Sequence, residues 1–146
     1  MLKAFIKNHK KLFVCAVVVL VIAALFGMDI IISKTYTLKL ESISEEVVYA
    51  DNKIPVTVQI SLTQFGKPIA GHSLYAVAEG GGRMKANRVM TDENGIAEFI
   101  YVPYTANRFM PAAPVTIKVI DESNSLVFEV NATVSVTIEL VEKEDA

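Results

Sequence analysis

Pro55–Gln64 reads PVTVQISLTQ. Val56, Val58, Ile60 and Leu62 fall on one side of an extended chain, and Thr57, Gln59, Ser61 and Thr63 on the other. Successive side chains of a strand point to opposite faces, so this alternation specifies a strand with one buried face. Phe65-Gly66-Lys67-Pro68 turns the chain after it. Before it lie the turn Ala50-Asp51-Asn52-Lys53, a short extended piece Val47-Val48-Tyr49 and the break Ser44-Glu45-Glu46. Further upstream Thr35–Ser42, TYTLKLES, alternates again, with Tyr36, Leu38 and Leu40 on its apolar side.

The same grammar continues downstream. His72–Ala78 reads as a strand with Leu74, Ala76 and Ala78 on one face, and Gly80-Gly81-Gly82 ends it in an open loop. Arg83–Thr91 is weakly strand-like through Met84 and Val89. Asp92-Glu93-Asn94-Gly95 is a turn whose Asn-Gly pair supplies the positive φ angles of a tight hairpin. Ile96–Val102 and Val115–Asp121 read as strands, separated by the irregular Pro103–Pro114 with its three prolines. After the turn Glu122-Ser123-Asn124-Ser125, Leu126–Leu140 alternates throughout, with Phe128, Val130, Ala132, Val134, Val136, Ile138 and Leu140 sharing a face. Fifteen residues would span about 50 Å at ~3.3 Å each, so a bend or break is expected near Asn131-Ala132. Seven or eight short strands with frequent turns predict an all-β, antiparallel β-sandwich over residues 36–141, followed by an acidic tail, 142–146.

Upstream of the sandwich the grammar changes. Leu12–Met28, LFVCAVVVLVIAALFGM, is seventeen residues without a charge, and Ile30-Ile31-Ile32 extends it past Asp29. As a helix, residues 12–32 reach about 30 Å at ~1.5 Å per residue, enough to cross a bilayer core. Lys3, Lys7, Lys10 and Lys11 precede it, within a basic flank of residues 1–11. Residues 34–146 hold ten Lys and Arg against fifteen Asp and Glu, a net of −5. Lysines on the short flank predict a cytoplasmic N-terminus and an extracytoplasmic domain. Asp29 is expected near the outer interface, its carboxylate reaching headgroups and water. A cleaved signal peptide is the rival reading, with a poor site after Gly27. Cys15 follows Val14 rather than a small residue, which does not suit a lipoprotein, and no Glu sits just inside the run as in a type IV pilin.

Cys15 is the single cysteine and lies within that run, so no intramolecular disulfide is possible and the domain must be held by packing. An acidic exterior gives no electrostatic reason to expect nucleic acid.

Tyr49–Lys53, the strand from Pro55, and Gly66-Lys67-Pro68-Ile69-Ala70-Gly71 resemble the opening of a bacterial Ig-like domain of the invasin/intimin group. Gly80–Gly82, followed by Thr91-Asp92-Glu93-Asn94-Gly95-Ile96-Ala97-Glu98-Phe99, resembles that group's Thr-Asp-x-x-Gly-x-Ala signature. The resemblance covers roughly residues 38–140. It implies an Ig-like sandwich used at bacterial surfaces for adhesion or as a spacer, without catalysis. Two features depart from the pattern: those adhesins string several domains together, and the loop Pro103–Pro114 is long.

Sites of chemistry are few. His72 stands alone beyond the basic flank, where His9 sits, and reads as an ordinary strand-edge residue. Asp92–Gly95 lacks the oxygen spacing of an EF-hand. Ser61, Ser73 and Ser135 have no recognisable His/Asp partners, so neither an enzyme nor a cofactor is expected, nor a metal or a small-molecule substrate. Asn131-Ala132-Thr133 is a formal glycosylation sequon that reads as strand in a bacterial chain.

The candidate for interaction is the loop holding Tyr104, Asn107, Arg108, Phe109 and Met110, whose aromatic and Arg side chains are typical interface anchors. Alternatively Phe109 and Met110 tuck against the open end of the sandwich. The functional expectation is a single-pass envelope protein, contacting membrane lipid through residues 12–32. Its Ig-like domain would bind an envelope or surface protein, or a surface polymer, close to the membrane as an accessory subunit of an assembly. The alternatives are a cleaved, secreted adhesin or spacer module, and a carbohydrate-binding accessory domain.

Overall fold

The computed structural model describes residues 10–125 and 127–142. The readings made for residues 1–9, for Leu126 and for 143–146 of the tail lie outside the described residues.

Helix α1 (Lys10–Ser33) carries the apolar run, two residues longer at the start and one at the end than the sequence pattern marks. Its side chains are almost all exposed, Asp29 being the buried exception. Among the described residues it is the one helix long and apolar enough to cross a membrane. The helix ends through side-chain caps: Ser33 Oγ donates to Ile30 O at 3.0 Å and Thr35 Oγ1 to Ile32 O at 2.7 Å. No spacer follows, since strand β1 (Tyr36–Ile43) begins three residues later.

Short β2 (Val48–Tyr49) precedes β3 (Val56–Gln64), which behaves as its alternation requires: Val56, Val58, Ile60 and Leu62 are completely buried. β3 is flanked on one side by antiparallel β1 and on the other by antiparallel β8 (Ile96–Val102). β6 (Arg83–Met84) continues that sheet beyond β8, and β4 (Lys67–Pro68) folds back on the end of β3. The facing sheet has the order β10 (Thr133–Ile138), β9 (Val115–Asp121), β5 (Ser73–Glu79), β7 (Arg88–Met90). β11 (Leu140–Val141) pairs in parallel with β2.

The core lies between the two main sheets. Leu38, Ala97, Phe99 and Tyr101 join the β3 row from one side; Leu74, Ala76, Val115, Ile117, Val119, Val136 and Ile138 come from the other. Each fully buried aliphatic side chain contributes roughly 1.5–3 kcal/mol relative to exposure, which lets a disulfide-free domain hold together.

Two local readings are corrected and a third is refined. In β1 the register jumps between Leu40 and Ser42, a bulge at Glu41; Leu40, opposite buried Ile60, keeps the face of Leu38 but stays exposed on this edge strand while Leu38 is buried. Asn94-Gly95 does not close a hairpin: β7 and β8 belong to different sheets, and only Gly95 takes a positive φ (73°). Asp92 shapes that turn, its Oδ1 accepting the N–H groups of Asn94 (2.9 Å) and Ile96 (2.8 Å). In Leu126–Leu140 the break expected near Asn131-Ala132 is present. Ordered pairing starts only at Thr133, and Leu140 leaves β10 to pair with β2. The segment 127–132 is irregular and turns toward α1 instead of extending the strand.

Candidate functional site

Strand directions place the loops. β1 leaves the helix at Tyr36, which pairs with Gln64, so the end of the sandwich holding residues 64–72, 91–95 and 121–133 is proximal to α1. β8 runs away from the helix, from Ile96 beside Ser61 to Tyr101 beside Val56. The loop after Val102 is therefore distal, together with Gly80–Gly82 and the end of β11.

That distal loop is held from within. Its base is pinned where Ala106 N–H donates to Ala50 O at 2.8 Å. Tyr104 Oη donates to Pro111 O (2.8 Å) and accepts from the Ala113 N–H (3.0 Å), drawing the two arms together. Asn107 closes the tip. Its backbone exchanges hydrogen bonds with Met110, and its Oδ1 accepts the N–H groups of Phe109 (2.9 Å) and Met110 (3.1 Å). The result presents Phe109 82% exposed, with the Arg108 guanidinium 4.3 Å above its ring. Beside it an open depression of about 470 Å³ is lined by Asp51, Lys53, Asn107, Arg108 and Glu142 among others.

Asn107, Arg108, Phe109 and Met110 are thus brought together, and Phe109 does not tuck into the sandwich. Tyr104 sits lower, where its ring and the Met110 methyl both cover Gly81. It supports the loop, packing over Gly81, where an added Cβ would meet its ring at 2.6 Å. Gly82 is hemmed in likewise by Tyr101 and Val102 O, the latter 2.6 Å from a Cβ position, so the triple glycine is a close-packed seat, not an open loop. Tyr101 Oη donates to Gly81 O at 3.1 Å. Burial, then the neighbouring Tyr104, pushes the Tyr101 phenol up to about 12.

The proximal end holds groups that sequence reading missed or misjudged. Asp29 is fully buried, not open to headgroups: its Oδ2 accepts the N–H groups of Val127 (3.0 Å) and Phe128 (2.6 Å). The Phe26 ring meets the Phe128 ring edge-on at 5.5 Å. One signal was available, a carboxylate inside an apolar helix, which ordinarily marks a partner. His72 is not an ordinary edge residue either; its Nδ1 lies 2.9 Å from Oδ2 of buried Asp121, and its ring leans on Tyr36. Arg88 and Glu122 form a two-pronged pair at 2.8 and 3.0 Å, their hydrogen bonds raising the guanidinium and lowering the carboxyl. Exposure to solvent leaves such a pair worth little. Among the described residues no group of three or more His, Cys, Asp or Glu is placed to hold a metal ion.

No protein-family model and no curated protein matches the chain. Solved structures do. The chain superposes on the C-terminal 282-residue fragment of intimin, solved with the intimin-binding domain of the translocated intimin receptor, with a TM-score of 0.53 and 14% identity. That match covers 72% of this chain and 32% of the other. The D00–D0 domain of intimin gives a TM-score of 0.54 at 13% identity, over 76% of this chain and 50% of that one. The chain therefore spans between a third and a half of the structures it matches. At these identities the likeness is one of fold. The β-sandwich has the Ig-like fold of these intimin domains, the fold that the turn motifs led one to expect, and an apolar N-terminal helix precedes it.

Proposed function

We propose that this chain is a single-pass envelope protein whose Ig-like domain binds a protein partner with its distal loop, close to the membrane. The observation that carries the reading is the stapled tip Asn107–Met110. It exposes an aromatic ring and a guanidinium from a rigid scaffold, at the end farthest from α1. The intimin fragment, solved with a receptor domain, supports a protein as the class of partner.

Retention of α1 is supported by the packing of Phe26 on Phe128, a contact that cleavage after Gly27 would remove. The lysine-rich flank supports a cytoplasmic N-terminus. With no stalk between α1 and β1, and strands of at most nine residues, the domain reaches only about 30 Å beyond the bilayer. Such a reach suits an accessory subunit of a membrane-proximal assembly. The domain works by binding, without catalysis.

Cross-linking in native membranes, followed by identification of neighbours, tests this. The wild-type chain is expected to capture a defined envelope protein, and the double variant Arg108→Ala/Phe109→Ala to lose it while keeping its thermal unfolding transition. Unchanged capture by the folded double variant would remove the loop from the site.

A further inference from the structure

We propose that the proximal rim of the sandwich is itself a membrane element, with Val127 and Phe65 seated in the outer lipid boundary and the Asp29 carboxylate sealing the backbone there. The proposal rests on the reading of α1 as a retained bilayer span.

Depth follows from the helix. A hydrocarbon core of about 30 Å counted from Leu12 ends near Ile32 at ~1.5 Å per residue. Asp29 and Phe26 then lie roughly 5 and 9 Å inside that margin. The segment at Val127-Phe128 touches the helix at these two residues, so it descends to the same depth.

Irregular backbone survives there only if its polar groups are satisfied within the protein. They are. Asp29 takes the N–H groups of Val127 and Phe128, and the Val130 N–H donates to Phe128 O at 2.7 Å. A carboxylate costly at this depth and amides equally costly there neutralise each other's demand. Val127 meanwhile stays 58% exposed, facing away from the domain.

Phe65 points the same way from an independent observation. It is 79% exposed at the proximal turn, its N–H 3.4 Å from Thr35 O beside the helix end. Its φ of 51° is one that a bulky residue rarely accepts. An exposed aromatic ring is unfavourable in water and favourable at a bilayer boundary, where aromatic side chains gather.

The chain contains no Trp, so single-Trp variants report position without background. The full-length protein in phosphatidylcholine nanodiscs is compared with the same protein in discs whose acyl chains carry bromine near the headgroup. Val127→Trp and Phe65→Trp are the rim probes, Leu20→Trp marks mid-helix and Phe109→Trp the distal loop. In brominated discs the emission of both rim probes is expected to be roughly halved, as for side chains seated ~5–10 Å into the boundary, while Phe109→Trp keeps its intensity. Deep bromine should quench Leu20→Trp. If Leu20→Trp is quenched and either rim probe is not, the rim proposal is overturned and the anchor stands. If Leu20→Trp also escapes, the anchor reading falls and takes the rim with it.

Discussion

At the scale of single residues, the turns hold the surprises. Phe65-Gly66 was legible as a turn, but not that both residues take positive φ (51° and 77°), the signature of a type I′ hairpin in which Asn-Gly is the favoured pair. Holding Phe left-handed costs about 1–2 kcal/mol that Asn largely avoids. Phe65→Asn is therefore expected to raise unfolding stability in detergent by about 1 kcal/mol, read from the denaturant midpoint at constant slope. Tyr101 gives a second test. Its phenol sits at about 12 in the folded domain against an ordinary 10, so the unfolded chain gives up its proton first. The stabilisation is complete below pH 10 and is lost as pH rises through 12. Tyr101→Phe should flatten the loss of stability over that window, while lowering stability at neutral pH by about 1 kcal/mol through the missing hydrogen bond to Gly81. A variant whose alkaline limb stays as steep as wild type would show that other groups govern it.

At the scale of elements, β3, β5, β8 and β9 were readable to within a residue because one buried face imposes a period of two, and nothing else acts on those segments. The run from Phe128 to Ala132 carries the same period yet forms no strand. Asp29 claims the amide of Phe128 and that of Val127 just before it, 99 and 98 positions away in the sequence, and a contact at that separation leaves no trace in local alternation. The His72–Asp121 pair, 49 positions apart, escaped for the same reason, and so did the seating of Gly81 and Gly82 under two tyrosines. Of the distal loop, the residue types at the tip were legible; the Asn107 staple that holds them outward was not. The Asp29 link can be cut directly. Hydrogen bonds to a charged acceptor are worth about 1.5–3 kcal/mol, so Asp29→Leu should speed amide exchange at Val127 and Phe128 by about 10- to 100-fold. Val58 and Ile117, in the core, should exchange as in wild type. Asp29→Asn, which keeps an acceptor oxygen, should recover part of the protection. Unchanged exchange in Asp29→Leu would mean that the loop is held by its own packing.

At the scale of the whole molecule, two ends with different chemistry are joined by a rigid body. The helix passes into β1 through two side-chain caps, and Gln64 Nε2 donates to Thr35 Oγ1 at 3.0 Å, bracing the junction against β3. With Asp29 tied to the loop before β10, α1 is attached to both sheets, one through β1 and the other through that loop. A domain so mounted has little freedom to swivel, and its distal loop is held at a fixed height and bearing relative to α1. Topology decides whether that height faces the envelope or the cytoplasm. Added protease should cut the domain in intact spheroplasts, while a tag placed before Met1 survives until lysis. Cleavage of the tag in intact spheroplasts, with the domain protected, would invert the orientation that the four lysines favour. Because the mount is stiff, a further result is expected from the same preparation: the core strands should resist cleavage and the first cuts should fall in the exposed tip, after Arg108 for a trypsin-like enzyme. First cuts at Lys34, beside the helix end, would instead indicate a hinge where the caps and the Asp29 link require none.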